Sequence, residues 1–102
     1  MIDAFRERFR RMEYEYSLHA VDQSLQRQIS TTEVEEVIEA GEIIEDYPSD
    51  KYGPSCLIFG LTVAGRPLHI QCTVPDRNPV KVITLYQPGT ERWIDFRRRR
   101  LQ

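Results

Sequence analysis

A chain of 102 residues, 40% hydrophobic and 29% charged, has the make-up of one soluble globular domain. No apolar run approaches the roughly 20 residues of a membrane-spanning helix, and MIDAFRERFRRMEYEY is too charged to hold the apolar centre of a secretory signal, so the cytoplasm is the expected compartment. The formal net charge of -2 hides an asymmetry: Arg6, Arg8, Arg10 and Arg11 crowd one end, Arg97, Arg98, Arg99 and Arg100 the other, and residues 13–96 carry 14 acidic against 6 basic side chains. Such basic ends either find phosphates or an acidic partner, or stay solvated as idle tails.

Taken in order, Ile2, Phe5, Phe9 and Met12 recur at spacings of three and four, which predicts a short amphipathic helix over residues 3–12 with its arginines outside. Tyr14, Glu15 and Tyr16 alternate as a brief extended segment. A second helix opens at Ser17 or His19. Its buried stripe is read as Leu18, Val21, Leu25 and Ile29, with Asp22, Gln26 and Gln28 toward water. Ser30-Thr-Thr-Glu33 is a capping box that starts a third helix, with Val34, Val37 and Ile38 inward, glutamates outside and Gly41 to end it.

Strands follow. Ile43, Ile44 and Tyr47 begin the sheet region, and residues 48–54 stop it. Residues 56–62, CLIFGLT, read as a central strand, in which Gly60 marks a bulge or a close backbone approach. Leu68, Ile70, Cys72 and Val74 alternate with His69, Gln71 and Thr73; Pro-Asp-Arg-Asn-Pro turns the chain; Val80, Val82, Thr84 and Tyr86 then alternate with Lys81, Ile83 and Leu85. Short connections between strands argue for antiparallel neighbours. The fold class expected is therefore α+β, with N-terminal helices packed on a four-stranded antiparallel β-sheet. It forms a single domain over residues 1–102, made of a basic helix at 1–12, a core at 13–90 and an arginine-rich tail at 91–102. Trp93, Ile94 and Phe96 are suited to covering a sheet edge or an interface.

Chemistry is less evident. The sequence holds no Walker loop, dinucleotide fingerprint, His-Glu-x-x-His or EF-hand loop, and Cys56, Cys72 and two histidines complete no zinc spacing, so neither a cofactor nor a metal is expected. The two cysteines read as buried thiols or a cross-strand disulfide. The glutamates of the third helix are a solubility face or a dock for a basic partner, including the arginine ends of a second copy in a homodimer. His19 at a helix start either packs or transfers protons. Arg27 lies two turns further on. Arg66, between Gly65 and Pro67, either binds a phosphate or pairs with a carboxylate. His69 points away from Leu68 and Ile70, and Tyr86 ends the last strand.

Tyr16-Ser-x-His19-Ala20, Arg27-x-Ile29-Ser30, Val34-Glu-x-Val37-Ile38-x-x-Gly41-Glu42-Ile43-Ile44-x-x-Tyr47-Pro48, Gly65-Arg66-Pro67-Leu68-His69 and Val82-Ile83-Thr84-Leu85-Tyr86-x-Pro88 together resemble the domain of unknown function 4258 family. That family is similar in turn to the RelE/ParE-like toxins. The resemblance implies a RelE/ParE-toxin-like fold with a metal-independent endoribonuclease site on the sheet, RNA as substrate and an antitoxin protein as partner. Carried over by residue, it implies His19, Arg66 and Tyr86 as catalytic and Arg27 and His69 as substrate-binding. The family pattern has an arginine four residues after the histidine, where this chain has Gln23. The alternative is a non-catalytic protein–protein interaction module on the same scaffold.

Overall fold

The computed structural model describes residues 1–51 and 53–101; Tyr52 of the expected turn and Gln102 of the tail lie outside the described residues. In chain order the elements are α1 (Ile2–Arg10), β1 (Tyr14–Tyr16), α2 (Leu18–Gln26), α3 (Thr31–Ala40), β2 (Glu42–Tyr47), β3 (Ser55–Leu61), β4 (Pro67–Thr73), β5 (Val80–Tyr86), β6 (Trp93–Ile94) and β7 (Arg98–Arg99). The sheet has five strands in the order β1-β5-β4-β3-β2 and is mixed. This corrects the expected four-stranded antiparallel sheet. The short Tyr14–Tyr16 segment joins as an edge strand, and it runs parallel to β5 with Tyr14 opposite Val80. The two helices α2 and α3 lie in the crossover that a parallel pair requires.

One face of the sheet is packed by helices. Phe5, Phe9, Ala20, Val34, Val37 and Ile38 meet Ile58, Leu68, Ile70, Val80, Val82 and Leu85 in one core. The Ser30 capping box forms as the sequence requires: Ser30 Oγ accepts from Glu33 N, and Glu33 accepts in return from Ser30 N. Gly60 marks a close approach. A Cβ there would stand 2.8 Å from the Val37 carbonyl oxygen, where α3 crosses β3. Cys56 and Cys72 are register partners on adjacent strands, buried and free.

A bulge decides the faces of β5. Gln71 pairs with Thr84 but Cys72 pairs with Val82, so Ile83 is an extra residue on that strand. Simple alternation would put Thr84 and Tyr86 on the same side as Val80. The bulge instead carries Leu85 into the core and turns Thr84 and Tyr86 to the opposite face, beside Gln71 and His69.

The second helix differs most from expectation. Of the expected stripe Ile29, just past the helix, is buried, but Leu18, Val21 and Leu25 are 87%, 39% and 73% exposed, and Ala20 and Gln23 face inward instead. The cause is the edge of β5. β1 covers that edge only as far as Val82, and α2 takes over where β1 stops. Ser17 N donates to Val82 O (2.9 Å), Ser17 Oγ to Ile83 O (3.2 Å), and Arg27 Nη1 to Leu85 O (2.8 Å). Leu85 N donates to Gln23 Oε1 at 2.8 Å. Buried backbone groups demand partners, and the polar face of α2 supplies them in place of a strand. The apolar face is left outside.

Gln23 can play this part because its amide oxygen accepts, which an arginine cannot do. Replacing Gln23 by Leu strands the Leu85 N–H, and urea unfolding is expected to show a loss of about 1–3 kcal/mol.

Candidate functional site

The sheet face opposite the helices carries Thr84, Gln71, His69 and Tyr86, because paired residues on neighbouring strands share a face. Half of it is roofed. The chain after β5 folds back as the β6–β7 hairpin, in which Trp93 pairs with Arg99 and Ile94 with Arg98. The expected tail is therefore tied down as ordered structure. Its turn has Asp95 and Phe96 at φ 54° and 62°, and Arg97 N closes it on Ile94 O at 3.0 Å. Both central residues are left-handed, as in a type I′ turn, and a phenylalanine there is held by its contacts.

Those contacts centre on His69. The ring is fully buried, 4.4 Å from the Trp93 ring centroid and edge-on to it. Nε2 lies 2.5 Å from Phe96 O and Nδ1 3.0 Å from the Tyr86 hydroxyl. A carbonyl only accepts, so Nε2 carries the proton and Nδ1 accepts from Tyr86. Burial lowers the His69 pKa, against the raising effect of the Phe96 bond, and burial likewise raises that of Tyr86. The hairpin is fastened at its rim by Arg97 to Glu42 (2.6 Å) and Arg99 to Glu45 (3.0 Å). Burial works to raise the Glu45 pKa, but the bonds from Arg99 and Tyr47 outweigh it and hold the carboxylate low.

Two hollows remain open. The first, about 710 Å³, is lined by His19, Lys51, Lys81, Thr84, Gln71 and Asp50, with Ser17 and Ile83 beneath. The second, about 600 Å³, lies at the other end of α2 and gathers Arg27, Arg66, Tyr86, Trp93, Arg92 and Arg99. Of the residues singled out in the sequence, Arg27, Arg66 and Tyr86 come together in the second hollow. His19 lies in the first, and His69 sits under the roof. His19 and Arg66 do not face a common hollow.

Arg66 is heavily engaged. Nε donates to Gln87 Oε1 (3.0 Å), Nη2 to Arg27 O (2.8 Å), and Nη1 to Gln28 O (2.9 Å) and Glu33 (3.2 Å). Its fork thus clamps the α2–α3 junction, where Gln28 is left-handed at φ 53°, to the β3–β4 turn. The Ser30 backbone bond holds Glu33 below the usual carboxylate range, with Arg66 assisting against the cost of burial.

Lys51, Lys81, Thr84 and Gln71 escaped the sequence reading, because only the bulge and the turn after β2 reveal that they share His19's hollow. Arg92 escaped it, and Arg99 was read only as part of a basic end, because the roof was read as a tail. Among the described residues no group of three or more His, Cys, Asp or Glu is placed to hold a metal ion. No helix among them is long and apolar enough to cross a membrane.

A family model described as "Domain of unknown function (DUF4258)" matches residues 16–87. The match takes in His19, Arg27, Arg66, His69 and Tyr86 and leaves α1 and the β6–β7 roof outside. No curated protein and no solved structure matches.

Because burial lowers the His69 pKa, the unfolded chain binds a proton below about pH 6.5 that the folded chain refuses. Stability contributed at this site is complete above that pH and falls as the pH drops toward the lowered folded value. Urea midpoints measured downward from neutral pH are expected to show the decline, and a His69→Gln variant to show less of it.

Proposed function

The chain belongs to the domain of unknown function 4258 family, and on that footing we propose that it is a toxin-like RNA-binding protein that cleaves its substrate at His19. The observation that carries this reading is the reach of α2. Both of its ends bring basic side chains to hollows on the open sheet face, His19 beside Lys51 and Lys81 at one end and Arg27 beside Arg92 and Arg99 at the other, with Lys81 also paired to Glu15 and Arg99 to Glu45. Eight residues of helix separate His19 from Arg27, about 12 Å along the axis. A ligand touching both hollows is an extended polyanion, not a lone phosphate. The RelE/ParE-toxin-like scaffold is supported by helices on one sheet face and a partly open opposite face.

Cleavage of this kind attacks a phosphate with the neighbouring 2′-hydroxyl. It needs a group to take that proton, one to return a proton to the departing 5′-oxygen, and cations on the phosphate. We assign both proton transfers to His19, which is solvent-exposed: the neutral imidazole takes the 2′-hydroxyl proton and the imidazolium so formed returns it to the departing 5′-oxygen, with phosphate contact from Lys51 and Lys81. Arg66 holds the scaffold in this reading, and Tyr86 and His69 support the roof. Acidic overall charge is no obstacle, because phosphate affinity follows local cations.

A second reading, the non-catalytic interaction module, draws on the outward apolar face of α2 with its exposed Leu18, Val21 and Leu25.

Fluorescence polarisation with single-stranded RNA, and gel assays with a chelator present, separate the two. Under the first reading Lys81→Glu weakens binding by about tenfold and lowers the salt slope by about one. His19→Ala abolishes cleavage while binding stays within about threefold. RNA behaviour unchanged in both variants transfers the assignment to the interaction module.

A further inference from the structure

On the helical side of the molecule lies a groove of about 680 Å³ that the RNA reading does not use. Its apolar surface comes from three separate segments: Met12 after α1, Leu61 at the end of β3 and Val63 in the β3–β4 turn, exposed by 70%, 49% and 87%. Its rim is Glu35, Glu36 and Glu39 from one flank of α3. We propose that this groove docks a basic segment of a partner protein carrying an aliphatic anchor.

Charge complementarity argues for that occupant. Glu39 meets a cation there, Arg10, and among the described residues no ion pair is shown for the other two rim carboxylates. Glu35 accepts from the Tyr14 hydroxyl (2.7 Å) and Glu36 from Val63 N (3.0 Å). Both donors are neutral, so they orient the carboxylates and leave their charge in place. A phosphate or an anionic surface is repelled by such a rim; lysine and arginine beside an apolar anchor are attracted to it.

Met12 argues independently that the groove is kept for an occupant. It ends α1 at φ 60°, with Met12 N bonded to Phe9 O (3.1 Å) and Glu13 N to Arg8 O (2.9 Å). That pattern is the Schellman closure, and its left-handed position suits glycine because a Cβ is strained there. A methionine at this point costs stability, and its side chain reaches into the groove largely unpacked. Contact with something outside this chain would recover the cost.

The test uses the full chain with labelled leucine-containing peptides flanked by lysine and arginine, by serine, or by glutamate. Backbone amide shifts and fluorescence anisotropy report binding. The basic peptide is expected to perturb Met12, Leu61 and Val63 and to bind at least about tenfold tighter than the serine form, with the glutamate form weaker still. Glu36→Gln should lower the affinity for the basic peptide about threefold or more. Met12→Gly should raise the thermal midpoint yet weaken the peptide, a pairing that a merely structural role for Met12 does not give. Equal binding of all three peptides, or no shift at the groove with the basic one, overturns the proposal. So does self-association abolished by Val63→Asp, which makes the occupant a second copy.

Discussion

The unpaired edge of β5 is the constraint from which the rest of the molecule follows. A parallel strand of three residues covers it to Val82, and beyond that point Ile83 O, Leu85 N and Leu85 O still require partners. Each unpaired buried backbone group costs about 1–3 kcal/mol, so the three together cost about 3–9 kcal/mol, against about 1.5–3 kcal/mol gained by fully burying one leucine. The helix therefore presents Ser17, Gln23 and Arg27 to the sheet and its leucines to the solvent. Its position beside the edge, rather than flat on the helical face, is also what brings His19 and Arg27 over the open side. Backbone satisfaction thus sets both the reach of the cationic groups and the exposure of the apolar stripe.

Arg66 shows how a prominent cation can be absorbed by architecture. Its planar fork meets two backbone carbonyls at the end of α2, a side-chain amide after β5, and the Glu33 carboxylate that caps α3. A lysine, as a single point donor, could not bridge these directions at once. The residue ties together the two helices of the crossover and the turn that leads into β4. A sequence position flanked by glycine and proline points to a fixed arginine; it does not say whether the partner is a ligand or the chain itself.

How much of this was legible in the sequence depended on the range of the information. The capping box at Ser30, the β4–β5 hairpin and the crossing at Gly60 were readable, because each rests on neighbouring residues or on a simple period. The stripe Leu18, Val21, Leu25 has sound helical spacing and was read as buried; what inverts it is a backbone requirement more than 60 residues away. The face of Tyr86 was likewise set by one extra residue in β5, which alternation alone does not reveal. Trp93 was legible as a covering residue, yet its target, His69, was not, since the two meet only when the chain doubles back. Of the site, the types of the cations were visible and their grouping was not.

Charge carries the same lesson one step further. The arginines at both ends look, in the sequence, like free basic arms against an acidic body. In the fold Arg6 caps the Ile38 and Gly41 carbonyls, Arg8 reaches Pro75 O, Arg97 meets Glu42 and Arg99 meets Glu45, so much of that charge is spent on the chain's own acids and carbonyls. Basic and acidic side chains are nonetheless sorted by face. Lys51, Lys81 and His19 line the hollow over the open sheet and Arg27, Arg92 and Arg99 the one beyond it, with Lys81 paired to Glu15 and Arg99 to Glu45, while Glu35 and Glu36 rim the helical groove beside the Arg10–Glu39 pair. A net charge of -2 therefore describes neither surface. The two groups of side chains lie on opposite sides of a molecule whose shortest extent is 25 Å, well beyond the Debye length of about 8 Å at physiological salt, so the field of one face does not cancel that of the other.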